Sequence, residues 1–186
     1  DFSHSSKAKR SMKPNRTKKV KVLHMITRLV VGGAQTNTVY TVKKLNRERY
    51  ETAVLSGPSK DAGGGELVTE VKQAGIPITE IPELITPVHP YKDLVAFVKL
   101  YLFFKTHSFD VVHTHGSKAG ILGRCAARAA CVPIIVHTVH GWSFNDFFPR
   151  LKKRVFLTLE RLVAPLTDKL IVVTNLDVQK GLQESI

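Results

Sequence analysis

The stretch "FDVVHTHGSKAGILGRCAARAACVPIIVHTV", Phe109 to Val139, decides the fold. It reads as a strand "FDVVHT", a helix from about Lys118 to Ala130, and a second strand "PIIVHTV". Short continuous apolar runs separated by a helix are what parallel strands buried on both faces look like. The same unit recurs on both sides. Upstream lie strands at 20–27 ("VKVLHMIT"), 51–56 ("ETAVLS") and 76–82 ("IPITEIP"), with helices to about Asn46, over 66–74, and from Tyr91 to Thr106. Downstream come a helix from Pro149 to Val163, a strand "DKLIVVT" at 168–174, and a last helix starting near Asn175. The alternation predicts an α/β fold: a Rossmann-like doubly wound parallel sheet with helices on both faces, a single domain over 19–186. Right-handed crossovers favour the strand order 3-2-1-4-5-6.

Such sheets bind ligands beyond the carboxyl ends of their strands, where the order reverses between strands 1 and 4. The unusual residues fall at those ends: Gly32 and Gly33 after strand 1, His113 to Lys118 after strand 4, His137 to Trp142 after strand 5. "VVGGAQT" places two glycines at a strand-to-helix turn, where bare backbone N–H groups meet an anion. It matches neither a dinucleotide fingerprint nor a Walker motif, which removes the main support for nicotinamide or P-loop chemistry. His113 and His115 are two apart, so strand geometry points both to one side. With His137 and His140 they make four imidazoles expected in one cleft. Zinc is one occupant for such a cluster, but neither motif holds a carboxylate or cysteine. Strand-end histidines bonded to backbone are a second reading and polar-ligand binding a third, with "GSKAG" adding N–H groups and a lysine for an anion. No serine, cysteine or paired-glutamate nucleophile is evident, so a nucleophile is expected from a substrate.

The 186 residues carry a net charge of +13, and its distribution matters more than its size. Eight of the 28 basic side chains lie in residues 1–21 against Asp1 alone. A Ser/Lys-rich segment so poor in apolar residues cannot offset its ordering entropy, so 1–18 reads as a disordered basic tail. Met12 is a candidate natural start. No apolar run approaches the ~20 residues of a spanning helix, and no signal-peptide core is present. Cytoplasmic placement is expected, with Cys125 and Cys131 as reduced core thiols. In "RLKKRVFLTLERLVA" (150–164), Leu151, Val155, Leu159 and Leu162 share one face and Arg150, Arg154 and Arg161 another. Packing on the sheet is one reading; docking on an anionic membrane, aided by the tail, is the other. The helix "LVAFVKLYLFF" (94–104), apolar almost all round, is expected to be buried, with a membrane or partner contact as the rival reading.

Taken in order, "VLHMITRLVVGGAQTNT", "AVLSGP", "FDVVHTHGSKAGILGRCAAR", "PIIVHTVHGW" and "DKLIVVT" resemble the N-terminal half of GT-B glycosyltransferases of family 4. The resemblance covers about Lys19 to Leu182. It implies two Rossmann-like domains across a cleft, and sugar transfer from a nucleotide-sugar donor with retention and no required metal or other cofactor. It assigns Gly32 and Gly33 to the donor diphosphate and His140 to the donor sugar at the reacting centre. His113, His115, Ser117 and Lys118 fall on the acceptor side, and Gly141 beside His140 joins the substrate-binding set. It implies a lipid-linked or polysaccharide-precursor acceptor at the membrane surface, and peripheral attachment to the inner face of the plasma membrane. No nucleic-acid partner follows from it. The nucleotide-binding domain, with its Glu-x7-Glu pattern, is expected beyond Ile186, so this chain alone is expected to be inactive. The loops "ELITPVHPYKDL" and "WSFNDFFPRL" are expected to choose the acceptor. Two alternatives remain: a metal-dependent hydrolase using His113, His115, His137 and His140, and a non-catalytic basic module.

Overall fold

The computed structural model describes residues 18–59, 65–144 and 149–186. The tail expected at 1–18 lies outside them except for Lys18, as do residues 60–64 and residues 145–148 of the stretch "WSFNDFFPRL" expected to choose the acceptor. Among the described residues, β1 (Val20–Ile26), β2 (Tyr50–Ser56), β3 (Ile78–Glu80), β4 (Val111–His115), β5 (Ile134–Val139) and β6 (Lys169–Val172) form one parallel sheet. Its order is β3-β2-β1-β4-β5-β6, the predicted doubly wound arrangement. The connecting helices are α1 (Gly33–Lys44), α2 (Gly65–Gln73), α3 (Pro90–His107), α4 (Ser117–Ala129), α5 (Arg150–Val163) and α6 (Asn175–Gln183).

The third strand is shorter than its apolar run suggested. Pro77 has no N–H, although its carbonyl accepts from Val54 N at 2.9 Å, and Pro82 ends the ladder beyond Ile81. Start signals set the later helices: Pro90 opens α3 behind the cap His89, and the Thr174 hydroxyl accepts from Asp177 N at 3.0 Å to cap α6.

The two faces carry separate cores. Ile26, Leu29 and Val54 pack with Val39 and Val42 of α1 and Leu67 and Val71 of α2. Leu23, Met25, Val112 and Ile135 pack on the other face with Leu100 and Phe104 of α3 and Ala119 and Ala126 of α4. At 25 cal/mol per Å², burying one such aliphatic side chain contributes about 1.5–3 kcal/mol.

Three sequence expectations need correction. Along α5 the inward residues are Phe156, Leu157, Glu160 and Val163, whereas Leu151 is 76%, Val155 50% and Leu162 66% exposed. The helix has two partly apolar faces, and the sheet takes the one carrying Glu160, because Arg124 of α4 neutralises that carboxylate. In α3 the stripe Ala96, Leu100, Phe104 is buried, but Tyr91, Leu94, Val98 and Leu102 face outward. Neither cysteine is a core thiol: Cys125 is half-buried, and exposed Cys131 lies beyond α4 at a positive φ of 58°.

Candidate active site

Because parallel strands pair in register, residues opposite one another share a face. His24 of β1 pairs with His113 of β4, and Ile26 pairs with His115. The next register rows run on to Val136 and Thr138 of β5. His24, His113 and His115 therefore stand together on the α1 side of the sheet, with ring centroids 4.8 Å (24–113), 5.4 Å (24–115) and 4.2 Å (113–115) apart. His24 was not singled out from sequence, because a histidine inside a buried apolar strand carries no mark of the face it occupies. The signal was the even spacing from Ile26, readable once β1 and β4 are known neighbours.

His137 does not join them. It pairs with Thr114 and Leu170 on the opposite face. There its Nδ1 lies 2.9 Å from the Thr114 hydroxyl and 3.1 Å from the Thr114 carbonyl. A Cβ on Gly120 would sit 2.5 Å from the ring, so α4 closes directly over it. The expected four-histidine cluster is thus corrected: His24 takes the place of His137.

The rings are connected to one another. His24 Nδ1 lies 3.1 Å from His115 Nε2, and His115 Nδ1 lies 3.1 Å from His140 Nε2. His113 Nε2 is 2.7 Å from the Thr138 hydroxyl. Burial holds these imidazoles neutral: it pushes His24 down to about 3, His113 to about 4 and His137 to about 2, with His115 well below its usual range. Half-buried His140 is lowered for the same reason. One ring nitrogen from each of His24, His113 and His115 lies within 4.8 Å of the others, a spacing that would admit a metal. Within the cluster His24 Nδ1 bonds His115 Nε2 and His113 Nε2 bonds the Thr138 hydroxyl, and among the described residues no acidic side chain belongs to it.

In front of the cluster a cavity of about 500 Å³ opens at the switch point. His115, Gly116, Ser117 and Lys118 line one side, Thr27, Ala34 and Gln35 another, and Val88, Ile121, Leu122, Phe156 and Leu159 supply an apolar wall. Gly116, at φ 72°, turns the chain from β4 into α4, so Ser117 opens the helix at the cavity's edge. Gly32 and Gly33 immediately precede Ala34 and Gln35 but are not on the cavity wall. The first N–H to find an intrahelical partner is that of Thr36, bonded to Gly32 O at 2.8 Å, and no side chain caps the helix. His113, His140 and Gly141 (φ 119°) also stand behind or beside the wall; His140 reaches it through His115. Lys118, expected as a lysine for an anion, has partners within the chain. Its ammonium lies 2.5 Å from Asp93 Oδ1 and donates to the Pro87 carbonyl. That ion pair ties the α3 entry loop to the start of α4 and occupies the charge. The Ser143 hydroxyl, also on the wall, is buried without a partner among the described residues.

The family described as Glycosyltransferase Family 4 matches residues 31–180. The chain is 32% identical over 166 residues to the Escherichia coli UDP-Gal:alpha-D-GlcNAc-diphosphoundecaprenol alpha-1,3-galactosyltransferase, covering 89% of this chain and 41% of that one. It therefore spans about two fifths of that relative. A glycosyltransferase from Rickettsia africae superposes with a TM-score of 0.65 at 19% identity, over 91% of this chain and 41% of the other. The Neisseria meningitidis UDP-GlcNAc 2-epimerase bound to UDP-GlcNAc gives 0.60 at 15% identity, over 90% and 44%. These two show that the fold is shared.

Proposed function

Since the chain belongs to Glycosyltransferase Family 4, we propose that it is the acceptor-binding half of a retaining glycosyltransferase. The enzyme moves a sugar from a nucleotide-sugar donor to a lipid-linked or polysaccharide-precursor acceptor at a membrane surface. The observation carrying this reading is that the family match runs through the residues that meet at the switch point: the Gly32–Gly33 turn, the cavity edge from His115 to Lys118, and His140.

Each group has a task that its chemistry suits. A departing nucleoside diphosphate gathers negative charge, and the uncapped N-terminus of α1 offers preorganised N–H donors to it. His140, neutral and half-buried, contacts the donor sugar. His113, His115, Ser117, Lys118 and Gly141 shape the acceptor side, and the cavity holds the acceptor hydroxyl against the anomeric carbon. The apolar wall of Val88, Ile121, Leu122, Phe156 and Leu159 suits a lipid-borne acceptor. The acceptor hydroxyl's proton passes to the leaving phosphate, since among the described residues the one carboxylate lining the cavity is Asp93, which Lys118 holds. No metal is required in this reading.

Membrane contact falls to α5. Its exposed Leu151, Val155 and Leu162 lie among Arg150, Arg154 and Arg161. An apolar stripe edged by arginines suits the interface of an anionic bilayer. No described helix is long and apolar enough to cross a membrane.

The test uses the complete reading frame that contains this chain. With a polyprenyl-diphosphate-linked amino sugar as acceptor, transfer from a panel of UDP-sugars is followed, and the product's anomeric configuration is read by NMR. Transfer with retention is expected, with none from the 186-residue chain alone. Inversion, or turnover by the short chain, would sink the reading.

A further inference from the structure

We infer that His24 and His115 are positioning residues that fix the proton of His140 on Nδ1, making His140 a hydrogen-bond donor to its ligand and not a base. The inference deepens the reading of His140 given above, and its chemical role rests on that reading.

The geometry leaves little freedom. Three rings from three strands or strand ends form a single chain, His24 Nδ1 to His115 Nε2 and His115 Nδ1 to His140 Nε2, both at 3.1 Å. A neutral imidazole has one donor nitrogen and one acceptor nitrogen. Each link needs one of each, so the three rings must share one tautomer: all protonated on Nδ1, or all on Nε2. Their burial keeps them neutral, which makes the constraint apply.

The blind end of the chain chooses between the two. His24 Nε2 is buried with no partner among the described residues, in a side chain only 1% exposed. If the chain ran towards His24, an N–H would be orphaned there, and orphaned buried N–H groups are rare. If it runs away from His24, the orphan is a lone pair. The proton then sits on Nδ1 of all three rings, and His140 Nδ1, which makes no hydrogen bond among the described residues, offers an N–H outward. A donor there suits a sugar hydroxyl or phosphoryl oxygen. It cannot take a proton from an acceptor hydroxyl without breaking the polarity of the whole chain.

The sequence concealed this arrangement. His24 lies 91 residues from His115, and His115 lies 25 from His140.

The test reads tautomers directly, by long-range 1H–15N correlation of the histidine rings in the labelled 186-residue chain near pH 7.5. A solvated histidine favours Nε2–H, so Nδ1–H at His24, His115 and His140 together is the signature expected. Two variants test the transmission. His24→Asp puts an acceptor where Nδ1 stood; at a pH where the His115 signals show a neutral ring, His115 and His140 should both turn to Nε2–H. His115→Phe cuts the chain, and His140 should relax to the ordinary Nε2–H form. An Nε2–H form of His140 in the unsubstituted protein overturns the proposal. So does a His140 that keeps its tautomer in His115→Phe, or in a folded His24→Asp whose His115 has inverted. If His24→Asp does not fold, the other two measurements decide. None depends on transferase activity, so failure here is distinct from failure of the assigned function.

Discussion

Arg124 of α4 and Glu160 of α5 meet at 2.6 Å, their side chains 0% and 3% exposed. The guanidinium also donates from Nε to the Gly120 carbonyl at 2.9 Å and reaches the Thr167 hydroxyl at 3.5 Å. This buried pair turns α5 so that Leu151 and Leu162 face outward. Removing one partner strands the other charge in the interior. Glu160→Ala is expected to destabilise the fold by about 3–5 kcal/mol, read as a lower urea midpoint. A shift under about 1 kcal/mol would show that the pair does not hold α5.

Vesicle binding follows from the same orientation. Leu151→Asp with Leu162→Asp should reduce sedimentation with phosphatidylglycerol vesicles while leaving the melting temperature almost unchanged, because both side chains are exposed. Arg154→Gln should weaken binding about fivefold, the equivalent of about 1 kcal/mol per basic residue near an anionic surface. Equal binding by all three proteins would move the membrane contact elsewhere.

Gly57 has no room for a side chain. A Cβ there would lie 1.8 Å from the Leu84 carbonyl oxygen and 2.7 Å from that of Thr27, and backbone cannot step aside. Gly57→Ala should cost at least about 2 kcal/mol, towards the upper part of the range for overpacking. A calorimetric scan with an unshifted melting temperature would contradict this packing.

Acid should unfold the chain early. The native pKa values of His24, His115 and His137 lie far below the ordinary 6.5, with His24 at about 3 and His137 at about 2. Below pH 6.5 the unfolded chain binds protons that the folded chain refuses. Stability is therefore full above about pH 6.5 and falls as pH drops towards 3. Each such ring contributes at most about 1.4 kcal/mol per pH unit within that window. Urea midpoints measured at pH 7.5, 6 and 5 should fall progressively; a flat profile would mean the rings are protonated or hydrated in the native state.

In the full-length transferase proposed above, His140→Ala should lower kcat by about 10²–10³, as loss of one transition-state donor does. His113→Ala should cost less than about tenfold, because His113 spends its Nε2 on Thr138. Steady-state kinetics on the two variants ranks them, and the reverse order would reassign the reacting histidine.

Much of this protein was legible in its residue order. Periodicity marked the six strands and their helices, and with handed crossovers it led to the order β3-β2-β1-β4-β5-β6. The glycines and histidines at strand ends pointed to the switch point, since ligand-facing residues in such a sheet collect there. These features depend on local backbone preference and on apolar spacing, which are properties of neighbouring residues. The partners of individual side chains were not local. Which face His137 occupies, that His24 joins His115, that Lys118 is held by Asp93, and which side of α5 is buried all depend on register between strands and on pairing across α4. A buried charge or imidazole turns towards whatever can satisfy it, and that partner is identified only when distant segments are packed together.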